Sequence, residues 1–161
     1  MKDKVRINIM IACLLSEMIN NILYKKETQT DGTVVEVDRD IPFRLKYALN
    51  KNVTVLDSWV NKYAEYQMYV KAKYGEQTED GKDVKIVDED KQKQADEDLT
   101  KYLRKEIDVS IYKINDEDIA TLMYDDLKFD SNSIKIFTAY LVKDDEYLKE
   151  LIDITNNFEK E

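Results

Sequence analysis

The sequence predicts a mostly helical α+β domain, in which a long helical hairpin packs with a small antiparallel β-sheet. First, no Gly or Pro interrupts the chain between Pro42 and Lys73, which is typical of a long helix. Second, apolar residues recur at helical spacing on both sides of a polar segment at 76–90. Third, short alternating runs flank Asp-Gly and recur at 107–111. The 161 residues suit a single domain, 1–161, with 76–90 as a polar arm between two long helices.

A short strand and an amphipathic helix are predicted at the N-terminus. Apolar and polar residues alternate over 5–9, and 5–24 is the most apolar stretch of the chain. Its uninterrupted apolar run, Ile9 to Leu15, has seven residues, whereas a membrane helix needs about 20. Polar side chains recur on one side of the helix, at Ser16, Glu17, Asn20 and Asn21. We therefore expect a buried helix and no membrane contact, with an uncleaved signal peptide as the alternative.

A β-hairpin is predicted after this helix. Asp31-Gly32 lies between two β-prone runs, and Asp-Gly is a strong signal for a hairpin turn because glycine tolerates positive φ. We expect strands at 24–30 and 33–38, with Val35 and Val37 on the same side.

The longest predicted element follows Pro42, which we place at the first helical position with Asp40 or Ile41 as the cap. The segment 50–52 (Asn-Lys-Asn) is interpreted as a kink or a short break. Beyond it, apolar and aromatic residues at spacings of three and four share one face: Leu56, Trp59, Tyr63, Tyr66, Val70 and Tyr74. Gly75 is expected to end the helix in the left-handed conformation.

The second half of the chain adds one long helix, a strand and three shorter helices. The polar arm contains a second Asp-Gly pair and a short predicted strand at 84–87. A helix at about 91–106 is expected to pack antiparallel against 52–74. A strand at 107–111 follows, and helices are predicted at 116–123, from Ser131 or Ser133 to Leu141, and at 144–157.

The composition removes several classes of chemistry. The chain has no His and one Cys, so it cannot form a Ser-His-Asp triad, a Cys-His pair, a His-containing zinc site or an internal disulfide. A carboxylate-metal enzyme has only one weak pattern, Glu89 and Lys91 with Asp80 or Asp83. In a chain that is 37% charged such spacings arise by chance, so we expect no catalytic residues, no metal and no cofactor. Cys13 is interpreted as a buried inert thiol of a cytoplasmic protein.

The net charge of −9 is unevenly distributed. Residues 42–75 carry six cations against two acids, whereas 76–100 carry four cations against ten acids. The acidic stretch indicates either a phosphate mimic that occupies a nucleic-acid groove or a solvated arm, and its interspersed lysines favour the arm. The overall acidity also disfavours nucleic-acid binding. Three cations are candidates for an anion-binding site: Arg39, Arg44 and Lys46.

Eleven tyrosines indicate a protein-binding role for part of the surface. Met68 and Tyr69 lie off the helical stripe, and exposed Tyr and Met are favoured at protein interfaces. We therefore predict a partner-binding surface at Tyr66, Met68, Tyr69, Asp80 and Asp83. The alternative is that these tyrosines are amphipathic surface residues without a binding role.

Three segments carry a resemblance to a known group of proteins: IPFRLKYALNKNVTVL, the end of the long helix at KYGEQTEDGK, and the strand IDVSIYKI. Together, over about residues 41–142, the chain resembles small uncharacterised proteins encoded by phages and prophages of low-GC Gram-positive bacteria. The resemblance implies a viral origin and a small accessory or structural role, and it supplies no catalytic residues.

The leading hypothesis is a non-enzymatic, phage-type accessory protein that binds a host or phage protein in the host cytoplasm and so inhibits a host defence system. The first alternative is a virion-associated or tail-assembly protein, located in the particle. The second is a nucleotide-signal-binding sponge, which would need the candidate anion-binding residues. A homo-oligomer is left open.

Overall fold

The computed structural model of the protein describes residues 2–125, 127 and 129–143. Within them the chain is α+β and mostly helical, as the sequence predicts, with one long helix against short two-stranded antiparallel sheets. The predicted helix at 144–157 lies outside the described residues. In chain order the elements are β1 Lys2–Asn8, α1 Ile9–Leu23, β2 Tyr24–Thr28, β3 Val34–Asp38, α2 Phe43–Tyr74, β4 Glu76–Gln77, β5 Val84–Lys85, α3 Glu89–Leu103, β6 Glu106–Tyr112, α4 Asp116–Asp125 and α5 Ser131–Leu141.

The core forms between one face of the β1–β6 sheet and the helices. Strands β1 and β6 pair antiparallel with Val5 opposite Val109, and β6 alternates buried and outward residues as a half-buried strand should. Helix α1 is buried along most of its length and packs on the first half of α2 and on α5. The fully buried large side chains include Ile9, Leu15, Ile19, Leu45, Leu49, Leu56, Ile111 and Phe137.

Two polar residues take core positions that their sequence pattern did not indicate. Ser16, predicted on the polar side of α1, is buried, and the hydrogen bond that its hydroxyl donates to Asp57 of α2 compensates for the loss of water. Asn52 is fully buried, and α2 runs through 50–52 without the predicted break. Its amide donates to the carbonyl of Tyr112 at 2.9 Å and accepts from the backbone N–H of Tyr112 at 2.8 Å. Because the Asn52 side chain bonds to β6 and not to its own backbone, it does not interrupt the helix.

Two helix starts differ from the prediction by one to two residues, and α3 ends at Leu103, three residues before the predicted 106. Pro42 is the N-cap and not the first helical residue, with φ −53° and ψ 139°. Helix α3 begins at Glu89, before the predicted 91, because the Asp88 carboxylate accepts from the N–H of Lys91 at 2.9 Å. Helix α5 begins at Ser131, one of the two predicted starts, and is capped by Asp130, whose carboxylate accepts from the N–H of Ser133 at 2.9 Å.

The prediction that Gly75 adopts the left-handed conformation is wrong, because its φ is −86°. Glycine is required there for space: a Cβ would overlap the carbonyl oxygen of Lys71 and the side chain of Val84. The close approach lets β5 cross the end of α2, and the predicted strand at 84–87 is only Val84–Lys85, paired with β4. The polar arm is therefore a small hairpin packed on α2.

The predicted hairpin after α1 is confirmed as β2 and β3, which pair antiparallel with Tyr24 opposite Asp38. Gly32 has φ 85°, the positive value that an Asp-Gly turn requires. Apart from its base, this hairpin is exposed on both faces. In the described part of the chain, no helix combines the length and the apolar character needed to cross a membrane.

Candidate functional site

The second half of α2 and helix α3 form an antiparallel helix pair that is joined by aromatic side chains. Tyr63 and Tyr66 of α2 contact Tyr102 near the end of α3, while Tyr74 contacts Asp98 one turn earlier. In this pair only Val70 and Ala95 are buried among the described side chains. The predicted stripe of α2 therefore faces α3 as expected, but its rings are half-buried and not enclosed.

Three tyrosine rings stack across the two helices, and a fourth, Tyr69, is tilted at 30° against Tyr66 of the same helix. The Tyr66 and Tyr102 rings are 4.2 Å apart at 13°, and the Tyr63 and Tyr102 rings are 6.1 Å apart at 23°. Tyr69 extends the stack from Tyr66 at 5.8 Å, and it is 58% exposed. Offset stacking at these separations is favourable because it aligns the ring quadrupoles. We refer to Tyr63, Tyr66, Tyr69 and Tyr102 as the tyrosine surface.

Lysines surround the tyrosine surface. The Lys105 ammonium lies 5.9 Å from the Tyr102 ring centre, and Lys62 lies 4.0 Å from that of Trp59. Lys73 lies 4.8 Å from the ring centre of Tyr74, a cation–π distance. The rim of the surface therefore carries three ammonium groups, of which Lys73 is paired with Asp98.

One carboxylate of α3, Asp98, bonds to two neighbouring residues of α2 beside the tyrosine surface. Asp98 accepts from the Tyr74 hydroxyl at 2.7 Å and from Lys73 at 3.5 Å. The hydrogen bond from Tyr74, followed by the charge of Lys73, lowers the pKa of Asp98. Desolvation, with a smaller contribution from the Asp98 charge, raises the pKa of Tyr66. The Tyr66 hydroxyl is therefore a neutral hydrogen-bond donor at neutral pH.

The five predicted partner-binding residues divide into two groups. Tyr66 and Tyr69 belong to the tyrosine surface, whereas Met68, 72% exposed, projects about 100° around the helix from Tyr69. Asp80 accepts from the Thr78 hydroxyl and from the N–H of Lys82 in the β4–β5 turn. Asp83 bonds to the N–H of Val84 at 2.7 Å and to Lys71 at 3.2 Å. Both acids thus shape the β4–β5 hairpin and lie outside the tyrosine surface.

The three predicted anion-binding residues do not share a site. Arg44 forms a two-point ion pair with Asp118 at 2.6 and 2.8 Å, and this pair raises the pKa of the Arg44 guanidinium. Lys46 contacts Asp38 at 3.3 Å. Arg39 donates to the carbonyl of Ile22 at 3.0 Å, at the C-terminal end of α1. Of the three, Arg39 lines a hollow beside the β2–β3 hairpin, whereas Arg44 lines a separate, smaller hollow.

Cys13, predicted to be a buried inert thiol, is half-buried in α1. Desolvation raises the pKa of its thiol. The thiol therefore stays protonated at neutral pH, which lowers its reactivity.

Sequence reasoning missed two features of the aromatic surface. Tyr102 lies in the helix predicted at about 91–106, but nothing near it in the sequence marks its role, because its stacking partners lie far away in the sequence. Phe43 is 83% exposed and belongs to a second aromatic cluster. In this cluster the ring centres of Phe43 and Tyr47 are 6.4 Å apart, and those of Tyr47 and Tyr112 are 6.0 Å apart. The spacing of Phe43 and Tyr47, four residues apart and off the face of Leu45, was the available signal.

Comparison with known proteins gives no matching family model, no matching curated protein and no matching solved structure. Among the described residues, no group of three or more Cys, Asp or Glu side chains is placed to hold a metal ion. The function is therefore inferred from the chemistry of the described surfaces.

Proposed function

We propose that this chain acts by binding another protein through the tyrosine surface. The observation that carries the proposal is the stack of Tyr63, Tyr102 and Tyr66 that ends in the exposed ring of Tyr69. Tyrosine offers a large contact area with little side-chain entropy to lose, and interface hot spots are enriched in it. Because the stack holds Tyr66 against α3, the surface is largely ordered before a partner arrives, which lowers the entropic cost of binding.

The charges around the surface define the partner chemically. Lys62 and Lys105 lie over or beside aromatic rings, as does Lys73, which is also paired with Asp98, so the rim presents ammonium groups around apolar ring surface. A complementary partner has an apolar contact area bordered by carboxylates. Such opposite charges increase the rate of association more than they increase the affinity.

The proposed biological role rests on the resemblance to phage and prophage proteins that the sequence indicates, together with this surface. We propose that the chain is a phage-type accessory protein and that its partner is a component of a host defence system. Occupying a functional surface of such a component would inhibit it without catalysis by this chain.

The experiment compares wild type with Tyr69→Ala in a quantitative affinity purification from a low-GC Gram-positive host lysate, using the tagged full chain. Tyr69 is exposed, so its truncation should leave the fold intact. We expect one host protein to be enriched by wild type and to be reduced about tenfold or more with Tyr69→Ala, as for a hot-spot residue.

The matched control is Tyr47→Ala, which removes another exposed tyrosine from the same helix but from the second aromatic cluster. It should retain the partner fully. Equal recovery with wild type and Tyr69→Ala would contradict the proposed surface. The same purification from a lysate of phage-infected cells tests the virion-assembly role, which predicts enrichment of phage structural proteins in place of a host protein.

A further inference from the structure

The two edges of the β1–β6 sheet differ. On the β6 side, Tyr112 exchanges two hydrogen bonds with the Asn52 side chain. Two residues further on, Ile114 pairs with Val142 in a parallel bridge. Strand β1 forms the other edge, because β6 is its only neighbouring strand among the described residues. The open edge of the sheet therefore lies along Lys2–Asn8.

The hydrogen-bond register fixes which backbone groups of β1 face the open edge. In an antiparallel pair, a residue turns both its N–H and its C=O either toward the neighbouring strand or away from it, and successive residues alternate. The N–H of Ile9 donates to the carbonyl of Lys105 at 3.1 Å, so the odd-numbered residues of β1 bond to β6. The bonds that Tyr112 makes away from β1 give the same alternation. The N–H and C=O groups of Lys4 and Arg6 therefore point to the open edge, where they make no hydrogen bond to the rest of the described chain.

The core face of β1 is incomplete at this edge. Val5 is only half-buried, although Val109, which lies opposite it in β6, is buried. An apolar side chain of an added strand would lie directly beside Val5, at the separation of a cross-strand pair, and would cover it. The edge therefore offers apolar contact as well as unused backbone groups.

The solvent face of β1 carries three exposed cations, Lys2, Lys4 and Arg6. Arg6 is paired with Asp108 of β6 at 3.1 Å, whereas Lys2 and Lys4 form no ion pair with a described residue. A second copy of β1, added antiparallel through the outward backbone groups, would place cations opposite cations, for example Lys4 against Lys4. Like charges directly opposite destabilise a strand pair, whereas opposite charges stabilise it. The charges therefore disfavour pairing between two copies and favour carboxylates on the added strand.

We propose that the open edge of β1 binds an extended segment of a partner protein whose solvent-facing side chains are carboxylates. The added strand would bond to the outward N–H and C=O groups of Lys4 and Arg6. It would place apolar side chains beside Val5 and carboxylates beside Lys2 and Lys4. In this mode of recognition the main-chain hydrogen bonds supply affinity, and the alternate side chains supply specificity. The edge shares no residue with the tyrosine surface, so this contact goes beyond the proposed function and does not depend on it.

NMR titration of the isotope-labelled full chain tests the proposal. The probe is a capped peptide that alternates valine and glutamate and has the 7-residue length of β1. We expect saturable shifts of the Lys4 and Arg6 amide signals with a Kd below about 1 mM, together with slower hydrogen exchange of both amides. The same peptide with lysine in place of glutamate should bind at least about tenfold more weakly, because its charges match those of β1.

Lys4→Pro removes the outward N–H without removing a bond of the β1–β6 ladder, since proline is tolerated on an edge strand where the N–H faces solvent. It should weaken binding of the glutamate peptide about tenfold or more, and continued protection of the Val5 and Ile7 amides will show that β1 is still paired. Lys4→Arg keeps both the charge and the N–H, so this matched control should bind as wild type does. The Lys2→Glu/Lys4→Glu double variant changes only exposed side chains, and it should reverse the preference in favour of the lysine peptide.

Absence of saturable shifts at Lys4 and Arg6 with the glutamate peptide overturns the proposal, as does equal binding of that peptide by Lys4→Pro and wild type. Equal binding of the two peptides by wild type overturns the acidic partner. Sedimentation that shows wild type dimerising and Lys4→Pro monomeric also overturns it, because the occupant of the edge would then be a second copy. Tyr69→Ala should bind the glutamate peptide as wild type does, so this proposal and the proposed function fail separately.

Discussion

Helix α2, all of whose residues the structure describes, divides into a core half, residues 43–56, and an outer half, residues 57–74. The core half places six side chains in the protein core, whereas the outer half buries only Val70. The core half lies between α1 and β6 and is held by aliphatic burial. The outer half is held by half-buried tyrosine rings, by cation–π contacts and by exposed ion pairs. A single helix therefore passes from one kind of stabilisation to another.

The difference indicates where the molecule can interact. Aliphatic burial stabilises the fold but leaves no surface for a ligand. Half-buried rings stabilise the fold and also offer a surface for a ligand, since one part of the ring packs against α3 while the rest faces solvent. Regions with few buried apolar contacts also open more readily, and binding surfaces are often found in them. The outer half should therefore be the less stable part and the part that contacts a partner.

The sharpest test of this comparison makes the same Leu→Ala substitution in the core half and in α3, the helix that packs on the outer half. Leu49 is fully buried in the core half, and Leu49→Ala should lower the free energy of unfolding by about 2–5 kcal/mol. Leu99 of α3 is half-buried beside the outer half, and Leu99→Ala should cost less than about 2 kcal/mol. Urea unfolding followed by circular dichroism measures both values. Equal losses would mean that the two halves are packed equally well.

The core half also depends on one polar link. Asn52→Ala removes both partners of the Tyr112 backbone groups, and leaving such groups unsatisfied should cost about 2–3 kcal/mol. The Tyr112 amide should also exchange faster with solvent. Asn50→Ala, at an exposed site two residues earlier, should change stability by less than about 0.5 kcal/mol. If the two variants were equally stable, the Asn52 link would contribute nothing.

The outer half depends on the space at Gly75. Gly75→Ala places a methyl group against the Lys71 carbonyl and Val84, and such overpacking should cost about 1–3 kcal/mol. Hydrogen exchange should localise the damage to the end of α2 and the β4–β5 hairpin, beginning at the Gly75 amide. Gly81→Ala strains only the turn, where φ is 67° and nothing lies nearby, so exchange at Gly75 should not change. Damage that spreads into α1 would show that the outer half is coupled to the core.

Local features of the fold could be predicted from the sequence. The Asp31-Gly32 hairpin, the one-face stripe of α2 and the alternation of β6 depend on neighbouring residues, and each appears in the structure. The last residue of α2 was also placed correctly, although for the wrong reason. Such features follow from propensity and periodicity, which need no knowledge of what packs where.

The features that require distant residues could not be predicted. Asn52 bonds to a residue 60 positions away. Its residue type alone therefore suggested a break in the helix and not a hydrogen bond between α2 and β6. Arg39 and Arg44 looked like free cations because their acceptors, the end of α1 and Asp118, become neighbours only after folding. For the same reason the sequence indicated exposed tyrosines but not the stack on Tyr102. The sequence therefore predicted two residues of the tyrosine surface, Tyr66 and Tyr69, but not the stacking of its rings between α2 and α3.

The smallest expected effect concerns acid and the Asp98 contact. The Tyr74 hydrogen bond and the Lys73 charge lower the pKa of Asp98, so the folded state releases this proton more readily than the unfolded state, whose Asp pKa is about 3.9. The resulting stabilisation is present above about pH 4 and is lost as the pH falls through the folded-state pKa. The α2–α3 contact should therefore loosen in acid, and the Tyr66 and Tyr102 ring signals in NMR spectra should shift as the pH falls below about 4.

Asp98→Asn should flatten that response, because an amide does not titrate, while Asp96→Asn on the same helix should leave it as in wild type. Identical acid responses in wild type and Asp98→Asn would assign the loosening to other carboxylates, such as Asp83 on the β4–β5 hairpin. The effect should also shrink as salt is added, because exposed charges are screened over about 10 Å at 0.1 M. Screening by salt would distinguish the outer half from the core half, whose aliphatic packing carries no charge.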